Sequence, residues 1–206
     1  MLNRTFGALL AAIALLFFVG GETQARTMTH WDQASGQWVT YDTAAFTMGG
    51  GGRNYTPIRP EIVKYEGPHG PNTIIVNTAE RRLYLVLEDG KAMKYGIGVG
   101  RDGFRWSGTH RITRKAEWPS WSPPAVMIAR EKANGRILPA YMEGGPGNPL
   151  GARALYIGST IYRIHGTSEP WTIGQAVSSG CIRLVNDDII DLYDRVKVGV
   201  KVVVMN

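Results

Sequence analysis

One cysteine, Cys181, is all that this chain of 206 residues contains. An internal disulfide is therefore excluded, and so is a cysteine-rich zinc cluster. No cysteine follows the apolar stretch near the N-terminus, which removes a lipid-modified N-terminal cysteine. Long apolar runs are missing beyond Gly7 to Gly20, so no later segment is suited to crossing a bilayer. Lys and Arg outnumber Asp and Glu by 23 to 17, yet no basic run exists, and the net charge of +6 is scattered. Scattered charge gives no nucleic-acid-binding stripe, but it suits general attraction to an anionic polymer. The histidines His30, His69, His110 and His165 have no short ligand spacing with Cys181, so neither a metal nor a cofactor is expected.

What is present begins with an export signature. Arg4 supplies the positive end, Gly7 to Gly20 the apolar stretch, and Thr23-Gln24-Ala25 a small-residue cleavage site. Residues 1–25 are expected to be a signal peptide, with an uncleaved anchor as the alternative. Once the signal is removed, no integral membrane span is expected. Residues 26–71 read as a tail or linker, with Gly49 to Gly52 followed by Pro57, Pro60, Pro68 and Pro71. Trp31, Trp38, Tyr41 and Phe46 within it suggest that part of the tail packs on something.

From residue 72 to 206 the pattern predicts one mostly β domain with short helices. Leu83, Leu85 and Leu87 alternate with Tyr84 and Val86, and Asp89-Gly90 marks a tight turn into Met93 to Val99. A second hairpin is expected over Ala154 to Ile157 and Thr160 to His165, and a buried strand over Val200 to Val204. Ser122 is a candidate cap for a helix ending near Asn134, and Asn186 for one over Asp187 to Val196. Residues 114–150, rich in Trp, Pro and Gly, are expected to form a flap over a cleft.

The run Gly98-Val99-Gly100-Arg101-Asp102-Gly103 has the letters of a dinucleotide-binding turn, but no helical period follows it, so that reading is set aside. Cys181 in Ser178-Ser179-Gly180-Cys181-Ile182-Arg183-Leu184 is the stronger signal. A free thiol in an exported chain is a liability unless something requires it, and nucleophilic catalysis is the leading requirement. His165, in Ile164-His165-Gly166-Thr167, is offered as the base, and Arg183 as nearby positive charge. The amides of Ser179, Gly180 and Cys181 are candidates for an oxyanion hole. A buried, inert cysteine is the alternative.

These two segments together resemble the signature of the L,D-transpeptidases, the YkuD or ErfK/YbiS/YcfS/YnhG domain. Asn148-Pro149-Leu150-Gly151, Ala154 to Gly158, Gly98-Val99-Gly100 and Ser107-Gly108-Thr109 are also similar to segments of that family. The resemblance covers about residues 72 to 205. It implies a β-sandwich-like catalytic domain in the cell envelope (the periplasm), acting on peptidoglycan stem peptides. Cys181 would be the nucleophile and His165 the general base. Arg183 would hold a substrate carboxylate, and amides near Gly180 would form the oxyanion hole. A thioester formed with loss of D-alanine would pass to an amine on a stem peptide, a D-amino acid or an outer-membrane protein. Carbapenems would acylate the thiol. One departure stands out, since many members carry histidine where this chain has Ser179. The alternatives are a cysteine L,D-carboxypeptidase or hydrolase of peptidoglycan links, and a silent wall-binding module.

Overall fold

The computed structural model describes residues 27–32, 37–42, 58–135, 137–158 and 160–206; for 27–32 and 37–42 it describes the backbone only. The expected signal peptide and Phe46 lie outside these residues. Among the described residues no helix is long and apolar enough to cross a membrane. Two segments of the expected tail pair as an antiparallel hairpin, β1 (Thr27–Asp32) with β2 (Gln37–Asp42). A third, β3 (Glu61–Lys64), lies at one edge of the main sheet against β6 (Lys91–Gly96). Four residues that leave Ile62 61% exposed make a weak pattern, which is why this edge strand is hard to see in the sequence.

The main sheet has nine strands in the order β12-β10-β9-β8-β13-β4-β5-β6-β3. At its centre β13 (Lys201–Met205) lies parallel to β4 (Thr73–Asn77) and antiparallel to β8 (Gly108–Glu117). Ile74, Ile75 and Val76 are consecutively buried, as expected for a strand covered on both faces. β5 (Arg82–Val86) and β6 form the first expected hairpin. Asp89 and Gly90 both take positive φ, 57° and 62°, the twist that a two-residue hairpin turn needs. The second expected hairpin is β9 (Arg153–Ile157) with β10 (Arg163–His165), shorter in its return strand than the sequence suggests. Among the described residues the architecture is mostly β with two short helices, in line with the mostly β expectation.

The two helices start differently from the expectation. α1 (Ala125–Ala133) begins after Pro124 rather than on Ser122, and no side chain caps it. The consecutive Pro123 and Pro124 hold the backbone extended until the second proline has passed. α2 (Asn186–Arg195) begins on Asn186 itself, without a side-chain cap, because the Asn186 side chain is engaged elsewhere. Ile189 and Leu192 on its inner face are completely buried, each worth about 1.5–3 kcal/mol relative to exposure. Asp187 and Asp188 sit in its first turn, at the positive end of the helix dipole.

The expected flap is also partly strand. Arg114 to Glu117 belong to β8 and pair with β9, so the irregular segment starts at Trp118, whose φ is 38°. It is tied at its base. Trp121 and Met142 exchange backbone hydrogen bonds, and the buried Asn148 side chain donates to the carbonyls of Met142 and Glu143.

Candidate active site

The site is built where β10 meets β12 (Ile182–Arg183) in parallel, with Ile164 opposite Ile182 and His165 opposite Arg183. Side chains alternate along a strand, so the fully buried Ile164 and Ile182 face the core. Arg163, His165 and Arg183 therefore share the opposite face. Cys181, one residue before β12, continues that face at the level of Arg163. The register thus places His165 and Cys181 on one face of two adjacent strands.

His165 is 4% exposed, and its Nδ1 lies 2.6 Å from the carbonyl oxygen of Gly166. A carbonyl only accepts, so Nδ1 carries the proton and donates it there, leaving Nε2 as the basic nitrogen. Burial pushes the ring pKa down to about 3, and the charges of Arg183 and Arg163 act in the same direction, against the Gly166 hydrogen bond. At neutral pH the ring is uncharged. The Cys181 thiol is raised by burial, while the Arg163 backbone, then the Arg163 and Arg183 charges, pull it back. Burial thus favours the neutral form of both the thiol and the imidazole.

The turn bearing Cys181 is held from three sides. Ser178 Oγ donates to the Cys181 carbonyl at 2.7 Å and accepts the Gly180 amide at 3.2 Å. Trp106 Nε1 donates to the Gly180 carbonyl at 2.7 Å. The Trp106 ring stacks on Tyr162, with centroids 4.5 Å apart and planes within 7°. Gly180 has φ of 106° and lies directly on the Tyr162 ring, where a Cβ would overlap it. Ser179, where many family members have histidine, accepts a hydrogen bond from Arg130 Nη2 of α1 at 3.2 Å. Through that bond the flap helix contacts the turn that carries the thiol, and Arg130 also lies 5.4 Å from the Phe104 ring centroid.

Arg183 pairs with Glu169 at 3.5 Å through Nη1, while its Nε and Nη2 are buried without a partner among the described residues. Burial lowers its pKa, partly offset by Glu169. Its backbone exchanges hydrogen bonds with Gly98, at 2.8 and 2.9 Å. The dinucleotide-like run is thus strand: β7 (Val99–Gly100) pairs with β11 (Ala176–Ser178), and Gly100 rests against Gly180. Its backbone amides bond to neighbouring strands rather than opening a helix onto a pyrophosphate. Among the described residues no three of His, Cys, Asp and Glu are grouped to hold a metal ion.

Arg163, Trp106, Tyr162, Arg130 and Asn186 were missed as site residues in the sequence. Arg163 had a signal, because it lies two positions before His165 on the same strand face. The others meet the site only through long-range contacts. Two open hollows of about 380 and 460 Å³ lie at Thr109, Arg111 and Lys201 and between Ile62 to Glu66 and Asp89 to Lys91, and neither is lined by Cys181 or His165.

Comparison with known proteins bears on the family and the fold. The model of the L,D-transpeptidase catalytic domain, YkuD, matches residues 71–204. The probable L,D-transpeptidase ErfK/SrfK of Escherichia coli K12 is 42% identical over 138 residues, 65% of this chain and 44% of that protein. The chain therefore spans less than half the length of that relative. An L,D-transpeptidase structure from Mycobacterium smegmatis covers 65% of this chain and 58% of its own, with a TM-score of 0.51 at 19% identity, a likeness of fold alone. A Brucella melitensis structure described as a probable carnitine operon oxidoreductase is 47% identical, covering 73% of this chain and 96% of its own. Its TM-score of 0.49 is too low to carry an argument. With the family model matched across the domain that carries His165 and Cys181, the chain belongs to the L,D-transpeptidase catalytic-domain (YkuD) family.

Proposed function

We propose that this chain is an exported L,D-transpeptidase that transfers the acyl group of a peptidoglycan tetrapeptide stem through a thioester on Cys181. The observation that carries the reading is the orientation of His165. Its Nδ1–H is committed to Gly166, and the ring lies on the sheet face that Cys181 continues. His165 Nε2 takes the thiol proton as Sγ attacks the carbonyl of the third stem residue. The amides of Ser179 and Cys181 remain the candidates for the oxyanion hole, the Gly180 amide being occupied by Ser178 Oγ. Collapse breaks the bond to the terminal D-alanine, whose nitrogen receives the proton from His165. The thioester then passes to an acceptor amine, of a second stem peptide or of an outer-membrane protein. Arg183, with two unpaired buried donors, is suited to a stem carboxylate. A signal peptide over residues 1–25 would place this chemistry in the periplasm.

A neutral thiol and a neutral imidazole mean that no thiolate stands ready. Proton transfer therefore accompanies the attack, which keeps the thiol unreactive until a carbonyl is positioned. Mass spectrometry of the protein with a purified disaccharide-tetrapeptide, beside Cys181→Ala, tests the reading. A crosslinked dimer with loss of D-alanine, absent in the variant, is expected. Tripeptide without dimer, persisting when acceptor amines are added, would replace transfer by hydrolysis. No Cys181-dependent product would refute both.

A further inference from the structure

We propose that Asn186 is a positioning residue that fixes the tautomer of His165 by holding the plane of the Gly166–Thr167 peptide. The proposal rests on the reading of His165 as the base. The Asn186 side-chain oxygen accepts two backbone N–H groups, from Ala152 at 3.0 Å and from Thr167 at 3.2 Å. The Thr167 N–H belongs to the same peptide unit as the Gly166 carbonyl, the group that takes the proton-bearing Nδ1 of His165 at 2.6 Å. In a planar trans peptide the C=O and N–H point in opposite directions. Anchoring the N–H on Asn186 therefore aims the carbonyl at the imidazole.

The fit leaves no slack. A Cβ on either Gly151 or Gly166 would overlap the Asn186 oxygen, so both glycines keep the backbone close to it. The second amide, Ala152, leads into β9, whose Ala154 is paired with His165. One oxygen thus joins the strand beside the histidine to the turn after it. This also explains why Asn186 does not cap α2 although it stands at its start.

Without that acceptor the Gly166–Thr167 peptide is free to rotate, Nδ1 loses its partner, and the proton can move to Nε2. A ring protonated on Nε2 cannot accept the thiol proton. The test uses the full chain with 15N-labelled histidine, the His165 ring signals being assigned by their absence in His165→Ala. In the unsubstituted protein and in Asn186→Asp, which keeps an acceptor oxygen, the proton should reside on Nδ1. In Asn186→Leu it should shift toward Nε2, and acylation of Cys181 by a carbapenem at pH 7 should slow on the order of 100-fold. That loss should shrink at high pH, where thiolate forms without a base. Should Asn186→Leu not fold, Asn186→Ser, too short to reach both amides, takes its place under the same criteria. A folded variant with the proton still on Nδ1 and an unchanged pH profile would overturn the proposal, as would an Nε2 proton in the unsubstituted protein. If His165→Ala acylates at the unsubstituted rate, the base reading fails, while the tautomer signal still decides whether Asn186 orients the ring.

Discussion

Replacing Gly180 by alanine should disable the candidate nucleophile without unfolding the domain. The new Cβ would fall within the Tyr162 ring, at a φ of 106° that L side chains rarely adopt. Holding such a backbone conformation costs about 1–3 kcal/mol, and forcing extra volume against a packed ring about 1–3 kcal/mol more. Opposing this are the Trp106 hydrogen bond to Gly180 and the Trp106–Tyr162 stack, worth together about 1–3 kcal/mol. The demand equals or exceeds the restraint, so the turn should leave its platform. The loss of stability is then limited to the restraint itself, a fall of roughly 2–12 °C in Tm. Ile164, Ile182 and Leu184 stay buried behind the turn, which keeps the sheet intact. Cys181 should still react with a small disulfide reagent, because the thiol is no less reachable. Its acylation by a carbapenem should fall on the order of 100-fold, since the reacting atoms are misplaced. Trp106→Phe, which keeps a ring but loses the N–H, should give an intermediate loss. An unchanged acylation rate and Tm in Gly180→Ala would refute the role assigned to the platform.

Three other outcomes are expected. Because burial holds His165 near 3, the neutral imidazole persists well below its ordinary value, and acylation should show no inflection near pH 6.5; a limb there would mean that the ring is solvated. Asp188 is 6% exposed, its Oδ2 lacks a partner among the described residues, and burial raises its pKa to about 7. The folded state therefore holds this proton more tightly than the unfolded chain, so stability is full below about pH 4 and declines as pH rises toward 7. Asn at this position should raise stability at pH 8 by about 1–3 kcal/mol and change little at pH 4, measured by urea unfolding, and no gain at pH 8 would show that the carboxylate is satisfied. Tyr95→Phe removes the 2.6 Å bond to Asp191 and should cost about 1 kcal/mol, since Arg195 still pairs with that carboxylate; a loss several times larger would mean that the hydroxyl orders α2.

The parts of this molecule that could be read from the sequence are those whose signals are local. Asp89-Gly90 announces its hairpin because only certain residues tolerate two successive positive φ values. The His165 and Cys181 segments stood out because a lone thiol among small residues has few structural uses. Asn186 misled because capping is a relation within one turn, whereas its side chain is drawn to amides 34 and 19 positions away, at 152 and 167. β11 and β12, of three and two residues, are too short to show a period. The Trp106–Tyr162 stack joins residues on either side of the flap, and no spacing rule relates them. The β8 extension through Glu117 was hidden by its charged residues, which belong to a strand with Ile112 as its one fully buried side chain.

The position of β13 has a consequence for how the molecule assembles. It follows every other described strand in the chain, yet it lies between β8 and β4. Before it docks there are two separate ribbons: β12-β10-β9-β8, which carries both candidate reactive groups, and β4-β5-β6-β3. Each has an open edge of unpaired backbone where β13 will insert. Whenever the chain is delivered N-terminus first, completion of the sheet must wait for residues 201–205, and such long-range closure is slow. The unfinished molecule is then the one most exposed to pairing with a neighbour, and residues 201–205 serve as the keystone that ends that vulnerability.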